Sequence, residues 1–173
     1  MKITDRYASA TRSSCLTVDE RTTFSDTDVL GAMGLAAKAF PLAVLLQRLF
    51  LGDNGASKLI VGKLELMAWH RARPLRVKLT LQEARGMAQQ CLHWHRDSAC
   101  KACGGHGKLV IEGSTTLGEF TCNVCHGTAK VPFESQFKVE WRELAKWLVG
   151  EMEREQSQAG PEAMKRLAPR LSL

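Results

Sequence analysis

The sequence predicts a mainly α-helical fold: a helical body with one small, zinc-ribbon-like β-hairpin module inserted in its second half. Two observations carry this. Apolar residues recur at intervals of three and four over most of the chain, as one buried face of a helix requires. Between residues 98 and 132 that periodicity stops, and the phrases CKACGGHG and CNVCHG take its place amid glycine and threonine. A length of 173 residues suits one domain of ordinary size with an appendage. The 45% apolar fraction is that of a chain that buries a core.

The elements follow in order. Residues 1–24 are polar and patternless and read as loop or a short edge element. Ser25 and Asp28 have capping-box spacing ahead of VLGAMGLAAKAF, in which Val29, Met33, Ala36, Ala37 and Phe40 keep helical spacing. That helix is apolar nearly all round, so it should be buried, with another backbone packed close to Gly31 and Gly34. Pro41 ends that helix or starts the next, since proline is tolerated in a first turn and not mid-helix, and residues 41–50 form a second short helix. GDNGAS at 52–57 is a loop by composition. Leu59, Ile60, Leu64, Met67 and Ala68 predict a helix from Ser57 that ends near Arg73, before Pro74. RVKLTL alternates like a strand but is short. Thr80 and Glu83 form a second capping box, opening a helix through Leu81, Ala84, Ala88, Cys91 and Leu92. Last, Phe137, Trp141, Leu144, Leu148 and Met152 predict a long amphipathic helix that QSQAGP ends. Its apolar stripe should pack on the helices at 28–50, leaving Glu151 and Glu155 exposed. The expected divisions are a helical body and basic segment (1–97), the cysteine module (98–132), the late helix (133–158) and a tail (159–173).

Four of the six cysteines stand in the two Cys-x-x-Cys-x-Gly phrases, separated by an eighteen-residue spacer. The two sulfurs of a CxxC converge on one ion, and the following glycine relieves crowding where amides turn towards the thiolates. Two knuckles on a hairpin, with KLVIE outward and EFT back, supply a sulfur tetrahedron. Spacing of this kind is a zinc signature, and the candidate ligands of one Zn2+ per chain are Cys100, Cys103, Cys122 and Cys125. A redox pair would need one CxxC at a strand-to-helix junction. Iron also accepts four thiolates, although the spacing favours zinc. Four sulfurs leave no open position for a water, so the site is structural. His106 and His126 lie within the knuckles as weaker ligand candidates, better placed to meet phosphate. His93 and His95 suit a helix C-terminus, and Cys91 falls on an apolar stripe and belongs to the core. No phosphate-binding glycine loop, nucleophile elbow or apolar carboxylate pair occurs, so the chain is not expected to be an enzyme.

The formal charge is +6; four thiolates and one divalent ion change it by −4 + 2, to +4. Residues 71–86 hold five basic groups against Glu83, whereas Glu134–Glu155 holds four basic and six acidic ones. Basic charge therefore concentrates in the middle third, beside the cysteine module, and favours a nucleic-acid partner. The candidate DNA contacts are Arg85, Arg96, Lys101, Lys108 and Lys130. The N-terminus lacks an apolar core of signal-peptide length, and the run AFPLAVLLQRLFLG is too short to span a bilayer. A cytoplasmic protein without a membrane partner is expected, its paired cysteines reduced.

SDTDVLGAMGLA, the helical approach to CKACGGHGKLV, then CNVCHGTAKV and a late Trp-containing helix resemble the Q antitermination proteins of lambdoid phages, in their zinc-containing branch. The resemblance covers roughly residues 25 to 155. It implies a non-enzymatic factor in the bacterial host that binds double-stranded DNA at a phage late promoter. The factor would engage host RNA polymerase holoenzyme with its sigma factor, meet the nascent RNA, and carry the enzyme through pauses and terminators. It associates the four cysteines and their basic neighbours with DNA binding. One alternative is a zinc-containing activator without antitermination. Another is a DnaJ-like chaperone module, because CxxCxGxG is also the repeat of that protein's cysteine-rich domain. There four repeats surround two metals, whereas this chain has two repeats and no J-domain His-Pro-Asp.

Overall fold

The computed structural model describes residues 26–111 and 116–171. The loop expected at 1–24, Cys15, the Ser25 cap and most of the hairpin turn lie outside the described residues. Helices α1 (Asp26–Ala39), α2 (Pro41–Phe50), α3 (Ala56–Ala72) and α4 (Leu81–Arg96) are followed by strands β1 (Lys108–Val110) and β2 (Leu117–Thr121) and by helix α5 (Arg142–Leu171). The fold is mainly helical with one small antiparallel hairpin, as the sequence predicts. RVKLTL forms no strand. Among the described residues no helix is long and apolar enough to cross a membrane.

The chain divides into two compact units. One holds the residues up to Lys63 and those from Gly150; the other is Leu64–Val149. In the first unit α2 buries Leu42, Ala43, Leu46 and Leu49 on one face. Ala32, Met33 and Ala36 of α1 pack with Ala163 and Leu167 of α5. This corrects two expectations. Gly31 and Gly34 lie on the exposed side of α1, and a Cβ at either would meet nothing within 4 Å. Among the described residues no neighbouring backbone packs against them. Helix α5 also runs through Gly160 and Pro161 to Leu171, where a tail was expected. Proline inside a helix costs about 3 kcal/mol, and the burial of Ala163 and Leu167 beyond it offsets that cost.

Glu155 departs furthest from expectation. It is only 8% exposed. Its Oε2 accepts the backbone N–H groups of Leu42, at 2.8 Å, and Ala43, at 3.4 Å. Helix α2 needs this acceptor. Pro41 fills its first position, and Phe40, at the N-cap, has no side chain able to take the first-turn donors. A carboxylate from α5 does so instead and faces the positive end of the helix dipole.

In the second unit α3 buries Leu64, Ala68 and Ala72, and α4 buries Ala84, Met87, Ala88, Cys91 and Leu92. The Cys91 thiol meets Ala145 O of α5 at 3.7 Å, and burial pushes its pKa up to about 12. It is a core thiol, as the apolar stripe implies. Leu144 and Leu148, which belong to this unit, are also buried. Trp141 is half-buried in a 3-10 turn at Val139–Trp141, with Lys138 Nζ 4.4 Å from its ring centroid. The residues of α5 that meet the N-terminal helices include Glu155, Ala163 and Leu167.

Helix α4 positions the cysteine module. The capping box at Thr80 and Glu83 is present in full. At the other end, Trp94 donates its indole N–H to Val131 O at 3.0 Å and meets the Phe133 ring edge-on at 4.9 Å. Phe133 in turn packs on Phe137, which is buried. The segment leaving the module is thus tied to α4 by one hydrogen bond and a run of three rings.

Candidate metal centre

The four cysteines of the paired phrases are the buried core of their own module. Their Sγ atoms all lie within 4.8 Å of one another. Cys100 Sγ is 4.0 Å from Cys122 Sγ, and Cys103 Sγ is 3.7 Å from Cys125 Sγ. A tetrahedron with metal–sulfur bonds of about 2.3 Å has edges of about 3.8 Å. The cluster has the size that one ion requires, and all four of its donors are sulfur.

The two knuckles have the same backbone shape. In each, positive φ falls one, two and four residues after the second cysteine: at Gly104 (60°), Gly105 (82°) and Gly107 (76°), then at His126 (50°), Gly127 (84°) and Ala129 (63°). They also exchange equivalent hydrogen bonds. Cys100 N–H donates to Ala129 O, and Cys122 N–H donates to Gly107 O, both at 2.9 Å. The sulfur pairs obey the same exchange, 100 with 122 and 103 with 125. The repeated phrase therefore folds as a local two-fold pair, with the ion position on its axis. An antiparallel bridge between Ala99 and Lys130 closes the base. The hairpin closes the other side, with Lys108 opposite Thr121 and Val110 opposite Leu117 across a register shift.

The pair is unequal in strain, and that yields two opposite expectations at equivalent positions. A Cβ on Gly107 would lie 2.6 Å from the carbonyl oxygen of Gly127, which is backbone and cannot step aside. Gly107→Ala should weaken or abolish metal retention. Ala129 occupies the same left-handed conformation with a side chain already present, and Ala129→Gly should stabilise the metal-loaded module by about 0.5–1 kcal/mol. Chelator challenge of the three proteins, timed by metal release, checks the order.

Thiol electrostatics differ within the set. Burial works against the Cys103 thiolate, yet Gly107 N–H donates to its sulfur at 3.3 Å, and with Cys125 beside it the pKa falls to about 7. Burial raises Cys100 to about 11, against backbone donors from Cys103 and Ala102. His106 and His126 are exposed and stand outside the clustered ligands.

The basic candidates all lie in this unit, and all are exposed. Arg85 and Arg96 are eleven residues apart on α4, three turns, and so share a face about 16 Å apart. Lys108 begins β1. Lys130 Nζ lies 5.9 Å from the Trp94 ring centroid. Lys101 is paired with Asp97, whose carboxyl that ammonium holds below its ordinary range. Sequence reasoning did not foresee the Asp97 pairing or the Trp94 anchor; HWHRD carried the signal for both, read there only as a helix end.

No protein-family model matches the chain. It is similar to the chaperone protein DnaJ of Streptococcus thermophilus (strain CNRZ 1066), at 32% identity over 76 residues. That alignment covers 32% of this chain and 20% of the DnaJ protein, so the chain spans about a fifth of the length of the curated relative it matches.

Proposed function

We propose that the chain is a non-enzymatic, zinc-stapled DNA-binding factor of the bacterial cytoplasm, and more specifically a phage late-gene antitermination protein. The observation that carries the reading is the buried four-sulfur cluster at the centre of a module that exposes Lys108 on its hairpin and Lys130 at its base. Zinc fits the donor set: four sulfurs at tetrahedral spacing, closed to water, suit structural zinc better than catalytic zinc. A module this small has almost no apolar core, so metal binding supplies its folding energy. Exposed Arg85, Arg96, Lys108 and Lys130 supply the phosphate contacts. The resemblance of TDVLGAMGLA and the knuckles to the Q proteins supports the finer statement that RNA polymerase holoenzyme, its sigma factor and the nascent RNA are partners.

A second reading, a DnaJ-like module that holds polypeptide, has its own support. The chain resembles a DnaJ protein, and the hairpin exposes Leu109, Ile111 and Phe120, the last 81% exposed.

Duplex binding measured against salt separates the two. Lys108→Ala and Lys130→Ala should each weaken binding to every duplex alike and lower the salt slope by about 0.9. Lys101→Ala should do least, because Asp97 already engages that ammonium. Unchanged slopes across Arg85, Arg96, Lys108 and Lys130 variants would remove the DNA reading. Run-off transcription past a terminator then decides the finer statement: read-through supports antitermination, and increased initiation alone supports the plain activator.

A further inference from the structure

We infer that the junction of α3 and α4 is a second nucleic-acid site, a cleft that takes an unstacked base of a single strand together with its phosphate. It lies within the unit Leu64–Val149 and uses none of the residues assigned to duplex DNA above. The open cleft, of about 560 Å³, is lined by Trp69, Arg73, Val77, Lys78, Leu79 and Glu83 among others. That volume falls in the range of small-ligand sites. The Arg73 guanidinium lies over the Trp69 indole, 4.4 Å from the ring centroid. The two planar groups offer a stacking surface, Val77 and Leu79 supply an apolar wall, and Arg73 and Lys78 supply two cations. A flat aromatic group bearing an anion satisfies all three features, and a nucleotide is such a group. Base pairs inside a duplex present only their edges in the grooves, so a stacking surface selects unpaired strands. The carboxylate of Glu83 is turned into the capping box, accepting from Thr80 N at 2.9 Å and Thr80 Oγ1 at 2.8 Å.

The backbone beside the cleft brings a further basic residue to the same turn. Arg76 has φ of 55°. Its N–H donates to Arg73 O at 3.0 Å, and Val77 N–H donates to Ala72 O at 2.9 Å. This is the paired-bond helix terminus whose left-handed position is ordinarily glycine. A third basic residue stands there at a conformational cost that glycine would not carry. Arg73, Arg76 and Lys78 together form a basic turn next to an indole.

Anisotropy with labelled oligo(dT) and with a duplex of equal length, on the full metal-loaded chain, tests the site. Arg73→Lys keeps the charge and loses the plane; it should weaken oligo(dT) binding roughly tenfold with its salt slope preserved. Lys78→Ala should lower the single-strand slope by about 0.7. Arg76→Gly should raise Tm by about 2–4 °C while weakening oligo(dT). Duplex affinity should hold in all three variants, whereas Lys108→Ala should show the reverse pattern, so failure of one site is distinguishable from failure of the other. Absence of oligo(dT) binding by the parent chain, variants that leave it unchanged, or duplex affinity falling in step would each overturn the inference.

Discussion

Cys122→Ser should unfold the segment 98–132 and abolish duplex binding, while the helices keep their far-ultraviolet signal. Serine cannot supply a thiolate, and Cys122 is fully buried at the centre of the paired knuckles. Its N–H also holds Gly107 O in the two-fold exchange. Structural zinc contributes on the order of 10–16 kcal/mol to modules of this size at neutral pH, far more than the hairpin's own contacts can replace. Limited proteolysis should cut the variant within residues 98–132 at rates seen for chelator-treated parent protein. The exposed His126→Ala is the control and should retain metal. A Cys122→Ser protein as protease-resistant as the parent would mean that the module stands without its metal.

The second large effect is remote from the metal. Glu155→Ala should cost about 2–4 kcal/mol, because two first-turn N–H groups of α2 lose a buried, charged acceptor. Glu155→Gln keeps an acceptor and should cost less. Glu151, four residues earlier, is half-buried and not exposed as expected; Glu151→Lys loses its pair with Arg154 but leaves both α2 donors their acceptor, and should cost less than either. Urea denaturation of the three variants should rank them in that order. A Glu155→Ala protein within about 0.5 kcal/mol of the parent would show that water replaces the carboxylate at that helix end.

These two sites also mark how far the sequence could be read. The cysteine ligands were legible because metal geometry imposes spacing along the chain itself: each CxxC places two donors, and glycines follow where the backbone must turn left-handed. The helices were legible from their period, and α4 from Thr80 and Glu83. Glu155 was not, because a carboxylate on a helix reads the same whether it faces water or another helix end. The cue lay over a hundred residues away, in a helix that starts at Pro41 behind a Phe40 unable to cap it. Gly31 and Gly34 misled for a different reason. The apolar composition of α1 suggested burial all round, whereas Lys38, seven residues after Gly31 and on the same face, already marked that side as solvated. Pro161 was read as a stop because local cost is visible in sequence and the offsetting burial of Ala163 and Leu167 is not. Arg76 carried no signal at all, since nothing in RARPLRVK announces a left-handed arginine.

The central claim is that the two knuckles close one tetrathiolate zinc site. X-ray absorption at the metal edge of the purified chain, with metal content quantified on the same sample, tests it most directly. The account predicts one zinc per chain with four sulfur neighbours at about 2.3 Å. Iron in place of zinc, nitrogen or oxygen in the first coordination sphere, or metal well below one per chain in folded protein would contradict it.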